Sequence, residues 1–118
     1  MTTITIVCSS GMSTSLLASR MNKAASDAGM DVSVRAASEN AFKDLAGDTD
    51  VLLLGPQVGY RLAKMKAQYE PLGIKVAVIN SIDYGMMDGQ KVLKTALDML
   101  KQHADGKEAQ REEHRTGE

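Results

Sequence analysis

Four short apolar runs alternate with stretches in which apolar residues recur every three or four positions. That alternation predicts repeated β-α-β units and a parallel sheet. The first run, Thr3 to Cys8, mixes β-branched residues with Val7 and ends in a Gly/Ser cluster, the pattern of a strand followed by a functional turn. From Ser13 on, Leu17, Met21, Ala24 and Ala28 fall on one helical stripe, with Arg20, Asn22, Lys23, Ser26 and Asp27 off it. Gly29 is placed to stop that helix. The second strand, Asp31 to Ala37, alternates Val32 and Val34 with Ser33 and Arg35, which suits a sheet edge.

Ser38 to Ala46 predicts a short amphipathic helix with Ala41, Phe42 and Leu45 inward, ended by Gly47 and Asp48. The run from Asp50 to Gly55 is continuously apolar through Val51, Leu52, Leu53 and Leu54, as expected of a central parallel strand covered on both faces. After Gly55-Pro56-Gln57, a helix presents Val58, Leu62, Met65 and Tyr69 on one stripe before Pro71 and Gly73 break it. The fourth strand, Ile74 to Ile79, leads through residues 80–85 into a last helix with Gly89, Leu93, Ala96 and Leu100 at helical spacing. Asp83 and Asp88 are placed to cap or start it.

The fold class is therefore α/β. Right-handed crossovers and a buried first strand give a four-stranded parallel sheet of order 2-1-3-4, flavodoxin-like, with helices on both faces. Ligands on such sheets sit at the carboxyl ends of the strands where the winding reverses, here at Cys8 and Gly55. A chain of 118 residues holds one domain, drawn at 1–102, with 103–118 a polar tail read as a frayed helix end or disordered segment. His103 and His114 fall in or beside that tail and receive no phosphoryl or metal role.

Composition narrows the chemistry. Apolar residues make up 43% and charged residues 25%, ordinary for a globular domain. A net charge of −1 and 3% aromatic residues argue against nucleic acid as a partner. The single cysteine excludes an internal disulfide and fits a reducing cytoplasm. No run approaches the roughly 20 apolar residues of a membrane span, and the first residues carry no secretory signal pattern, so any membrane contact is expected through a partner. Metal chemistry lacks a Cys/His cluster, and thiol exchange lacks a second cysteine. A dinucleotide site lacks the glycine spacing after strand 1 and the acid at the end of strand 2. No cofactor is expected.

The chemical candidate is the loop Cys8-Ser9-Ser10-Gly11-Met12-Ser13-Thr14-Ser15. A cysteine between a strand and a helix N-terminus meets free N–H groups and the positive end of the helix dipole, which favour a thiolate and then a bound phosphate. Gly11 can supply positive φ for an anion nest, and Ser9, Ser10, Ser13, Thr14 and Ser15 supply hydroxyl donors. The competing structural reading makes Cys8 a small buried apolar residue and the hydroxyls helix caps. The density of Gly, Ser and Thr around the chain's one cysteine favours the phosphate-binding reading.

Three motifs in order, Cys8-Ser-Ser-Gly-Met-Ser-Thr-Ser-Leu-Leu, Leu53-Leu-Gly-Pro-Gln57, and Asp83-Tyr-Gly85 with Asp88-Gly89, carry a resemblance. From residue 3 to about residue 102 the chain resembles the enzyme IIB component of the lactose/cellobiose (chitobiose) class of the bacterial sugar phosphotransferase system. The resemblance implies a cytoplasmic phosphotransferase that receives a phosphoryl group from a phosphohistidine of the IIA component. It would pass that group to a sugar, a β-disaccharide, held by the membrane IIC permease. Cys8 would be the nucleophile and carrier, and residues 9–15 the cradle. Gly55, Pro56, Gln57, Tyr84 and Gly85 match the flanking motifs as site lining or partner contacts. Gly55-Pro56 also reads as a plain strand-to-helix turn, and Tyr84 as a packed aromatic.

Low-molecular-weight tyrosine phosphatases use a similar cysteine loop, with an arginine where this chain has Thr14. Without that bidentate phosphate clamp, transfer to a docked partner ranks above hydrolysis. A regulatory, anion-sensing domain without covalent chemistry stays open at this point.

Overall fold

The computed structural model describes residues 1–8 and 11–101. The tail at 103–118 and its two histidines lie outside the described residues. Four strands, β1 (Thr2–Val7), β2 (Val32–Ala37), β3 (Val51–Leu54) and β4 (Lys75–Val78), form one sheet of order β2-β1-β3-β4. All three pairings are parallel. In the register, Ala37 pairs with Val7, Val7 with Leu54, and Leu54 with Val78. The four strands thus end level, and every loop that follows a strand emerges on one side of the molecule.

Each strand's alternation divides the core in two. Ile4, Ile6, Val34, Val51 and Leu53 face α1 (Gly11–Asp27) and a last helix, α5, over residues 89–101. Val7, Leu52, Leu54 and Val76 face α2 (Glu39–Leu45) and α3 (Leu62–Tyr69). All four β3 residues are buried, as a strand between two helical layers requires. On the second face Phe42 is fully buried and meets Tyr69 edge-on, with ring centroids 4.9 Å apart. That contact fixes α2 on the sheet, and Ser38 caps it by accepting the N–H of Ala41.

One polar system crosses this second face. Arg35 on edge strand β2 donates to Thr5 Oγ1 at 3.1 Å, to Thr49 Oγ1 at 3.3 Å and to the carbonyl of Leu45 at 3.0 Å. Thr5 and Thr49 are buried and share a hydrogen bond of 2.8 Å. A guanidinium at the C-terminal carbonyl of α2 satisfies both the acceptor and the helix dipole. Arg35, on the edge strand that the alternation led one to expect, is therefore a tie between β2, β1 and the end of α2.

Several expected faces shift. The buried seam of α1 runs Leu17, Met21, Ala25 with Thr14 and Ala18, whereas Ala24 is partly buried and Ala28 exposed. The seam follows steps of four, and Ala28 lies past the helix end, where Gly29 turns at φ 69°. Ala41 is exposed because so short a helix turns one full residue, Phe42, inward.

The last helix is also two elements. Asn80 caps a five-residue α4 (Ser81–Gly85) by accepting the N–H groups of Ile82 and Asp83. Met87, at φ 51°, breaks the chain direction before α5. Asp88 caps α5 as expected, its Oδ1 accepting the N–H of Lys91. Asp83 instead lies buried inside α4, paired with Lys91 at 3.3 Å.

The entry of α5 rests on Gly89. A Cβ placed there would stand 2.7 Å from the backbone carbon and 2.9 Å from the carbonyl oxygen of Arg20, so α1 and α5 touch backbone to backbone. Gly89→Ala is expected to lose about 1–3 kcal/mol of stability, as forced overpacking does. Urea unfolding followed by circular dichroism measures it, and an unchanged midpoint would refute the contact.

Candidate functional site

Cys8 is the first residue past β1, the strand between β2 and β3, and it is 4% exposed. Its neighbour across the sheet is the start of the segment after β3. The N–H of Gly55 donates to the carbonyl of Val7 at 2.9 Å, carrying the β1–β3 ladder one step beyond the strands. Gly55 and Cys8 are thereby pressed together. A Cβ on Gly55 would stand 3.1 Å from Cys8 Sγ and 2.9 Å from Gln57 Oε1, so glycine at 55 makes room for the sulfur and for the side chain that meets it.

That side chain is Gln57. The Cys8 S–H donates to Gln57 Oε1 at 3.3 Å, within the longer range of a sulfur hydrogen bond. Gln57 belongs to a turn, Pro56–Arg61, of 3-10 type, interrupted by non-helical angles at Val58. Pro56 opens this turn, consistent with its structural reading, and Val58 anchors it in the second core.

On the other side of Cys8, Gly11 is the first residue of α1. The seventeen-residue helix thus starts three positions after the sulfur and presents its N-terminus at the site end of the sheet. Thr14, where a phosphatase loop would carry arginine, is buried at 1% exposure, while Ser15 faces outward. Ser9 and Ser10, and the side chains of Met12 and Ser13, lie outside what the structure describes.

The flanking residues divide. Gly55 and Gln57 meet the sulfur. Tyr84 is 6% exposed within the core cluster under α1 and α5, its ring packed and its hydroxyl buried with it rather than solvated. Gly85 closes α4 and has nothing within 4 Å of a would-be Cβ, so no close approach requires glycine there. No group of three His, Cys, Asp or Glu side chains is arranged to hold a metal among the described residues.

Sequence reasoning passed over one feature of this end of the molecule. Arg61, at the end of the Gln57 turn, forks onto Glu39, the first residue of α2, with Nε to Oε1 at 2.8 Å and Nη2 to Oε2 at 2.5 Å. The two lie 22 residues apart, and only the strand order brings them together. Exposed apolar side chains stand on the elements that begin at this end: Leu16 on α1, Tyr60 in the turn after β3, and Ile82 in the first turn of α4.

The chain has known counterparts. The family model described as the lactose/cellobiose-specific IIB subunit of the PTS system matches residues 3–95. The chain belongs to this family. It is accordingly a phosphotransferase component of the sugar phosphotransferase system, as the three motifs led one to expect.

A cellobiose-specific EIIB component of Lactococcus lactis subsp. lactis is 42% identical over 102 residues, covering 82% of this chain and 94% of that protein. A galactose-specific EIIB component of Lactococcus lactis subsp. cremoris is 41% identical over the same length and coverage. In fold, the lactose-specific IIB domain of Streptococcus pneumoniae superposes with a TM-score of 0.76 at 24% identity, covering 83% of this chain and 96% of that one. In the lactose-specific EIICB component of Streptococcus mutans, the matching IIB part is 34% identical over 83 residues, 70% of this chain and 15% of that protein.

The sulfur contact can be read directly because the chain has one cysteine. Gly55→Ala should fold with a loss of about 1 kcal/mol, since the atoms its methyl meets belong to two side chains, Gln57 and Cys8, and not to backbone. It should also break the S–H···O bond, moving the Raman S–H stretch to the position seen in Gln57→Leu. A band left at the wild-type frequency in both variants would contradict the contact.

Proposed function

We propose that Cys8 carries the phosphoryl group of this IIB component. It would take the group from a phosphohistidine on a IIA partner and hand it to a sugar held by a IIC permease. The observation that supports this most is the position of Cys8: a nearly buried sulfur at the carboxyl end of an inner strand, three residues before a long helix begins. A helix N-terminus there offers N–H donors and a positive potential to the phosphoryl oxygens, with no metal required.

In the first step Cys8 Sγ attacks phosphorus in line as the thiolate. The S–P bond forms, the P–N bond breaks, and the proton lost by the thiol ends on the released imidazole nitrogen. In the second step a sugar hydroxyl attacks phosphorus. The O–P bond forms, the S–P bond breaks, and the hydroxyl proton returns to sulfur. Gln57 serves both states of the carrier, its carbonyl accepting from the thiol and its NH₂ turning to donate to a phosphoryl oxygen.

Two further observations favour transfer between partners. Thr14 leaves the loop without the bidentate arginine that would clamp phosphate for attack by water. The apolar side chains of Leu16, Tyr60 and Ile82 stand exposed on the elements that begin at the site end of the sheet, where a docking protein would cover them. No helix among the described residues is long and apolar enough to cross a membrane. In the proposed relay the domain would work in the cytoplasm and meet the bilayer through the permease. Relatives that join a IIB part to a IIC part in one chain support that partner. The sugar would be a β-disaccharide, as the cellobiose- and lactose-specific relatives suggest, although a galactose-specific relative is equally similar.

Incubation with phosphoenolpyruvate, the general phosphotransfer proteins and a IIA protein of this class should yield a singly phosphorylated chain, read by intact-protein mass spectrometry. Cys8→Ser should abolish that species. Labelling of Cys8→Ser at the wild-type level would refute the carrier role.

A further inference from the structure

The turn that carries Gln57 is weakly determined by its own residues. It is a 3-10 segment, it departs from helical angles at Val58, and Gly55 at its head gives it no side-chain cap. Its fixed points are the Gly55 to Val7 hydrogen bond at its start, Val58 in the core, and the fork of Arg61 onto Glu39 at its end. That fork is the only bidentate ion pair among the described residues. The other three pairs are single contacts, each with a side chain 65% or more exposed, whereas Arg61 and Glu39 are 28% and 39% exposed.

Glu39 is a rigid anchor. It sits in the first turn of α2, where a carboxylate is favoured by the helix dipole, and Phe42 pins that helix in the core. Glu39 follows β2 and Arg61 follows β3, while β1, with Cys8 at its end, lies between those strands. The ion pair therefore ties together the two loops that flank the sulfur.

We propose that Glu39 and Arg61 are positioning residues for phosphoryl transfer, holding the Pro56–Arg61 turn so that the Gln57 amide stays at Cys8 Sγ. Neither touches the sulfur, and both act through Gln57. The consequence for transfer rests on the carrier role of Cys8, but the positioning itself does not.

The test is a double-mutant cycle on the full chain with two readouts: phosphoryl uptake from a phosphorylated IIA protein of this class, and alkylation of the single cysteine by iodoacetamide. Arg61→Met should slow uptake by about tenfold, the scale of a modest misplacement at a reacting centre. It should also speed alkylation, because a freed Gln57 uncovers a sulfur that is now 4% exposed.

In a Gln57→Ala background the same substitution should change either rate by less than about twofold, the mark of residues acting through one another. Glu39→Gln, which keeps the side-chain shape, should move both rates in the same directions as Arg61→Met and serves where that variant folds poorly. Equal effects of Arg61→Met in both backgrounds, or a fall in melting temperature with both rates unchanged, would overturn the proposal. If the wild type takes up no phosphoryl group, the carrier role fails and the alkylation cycle still decides the clamp.

Discussion

A single backbone hydrogen bond past the ends of two strands sets the geometry on which the rest depends. By donating to Val7, Gly55 extends the pairing of β1 and β3 into the loops, where parallel strands ordinarily part. Cys8 then has a backbone at its side where another fold would have open space. A Cβ at position 55 would crowd both Cys8 Sγ and Gln57 Oε1, and its absence lets Gln57 fold back onto the sulfur. The ladder, the glycine and the amide are successive consequences of one register.

The same register explains why the surrounding elements gather where they do. Because Ala37, Val7, Leu54 and Val78 lie in one row, α2, α1, the Gln57 turn and α4 all begin at the same end of the sheet. Two of these starts are capped by side chains, α2 by Ser38 and α4 by Asn80, and Arg61 at the far end of the Gln57 turn ties it to α2. The opposite face of the sheet is closed by a tighter device, the contact of α5 with the backbone of α1 at Gly89. Stability is thus concentrated in the layers, and the site end is held by point contacts.

The strands and their order were legible because hydrophobic alternation carries that information locally. Four all-apolar positions in β3 can only be an inner strand, and the Gly/Ser cluster after Val7 marks a turn of special purpose. Helix faces were less legible, since Ala24, Ala25 and Ala28 look alike in a pattern and only packing on the sheet selects Ala25. The split between α4 and α5 escaped because Met87 adopts a left-handed conformation that sequence assigns to glycine or asparagine. At the site, Cys8, Gly55 and Gln57 could be named from motifs. Arg61, Glu39 and the hydroxyl pair under Arg35 could not, because each joins residues far apart whose meeting depends on the sheet order.

A relay protein faces a constraint that a phosphatase does not: its phosphoryl group must be stable to water yet transferable to a docked partner. The position of Cys8 supports such a balance. Burial of the sulfur limits the approach of solvent, while the helix N-terminus would stabilise the charge of a phosphoryl group carried there without a fixed cation. Thr14, in place of arginine, withholds the strongest clamp for the transition state of hydrolysis. In the proposed relay, the remaining stabilisation has to come with the partner that presses onto the apolar rim, so transfer would be fast only in the complex. Arg61 is near enough in the chain to tempt a comparison with the missing arginine, but its fork is already filled by Glu39. Its cation therefore shapes the site from the side, through the turn it holds, rather than by meeting the phosphate.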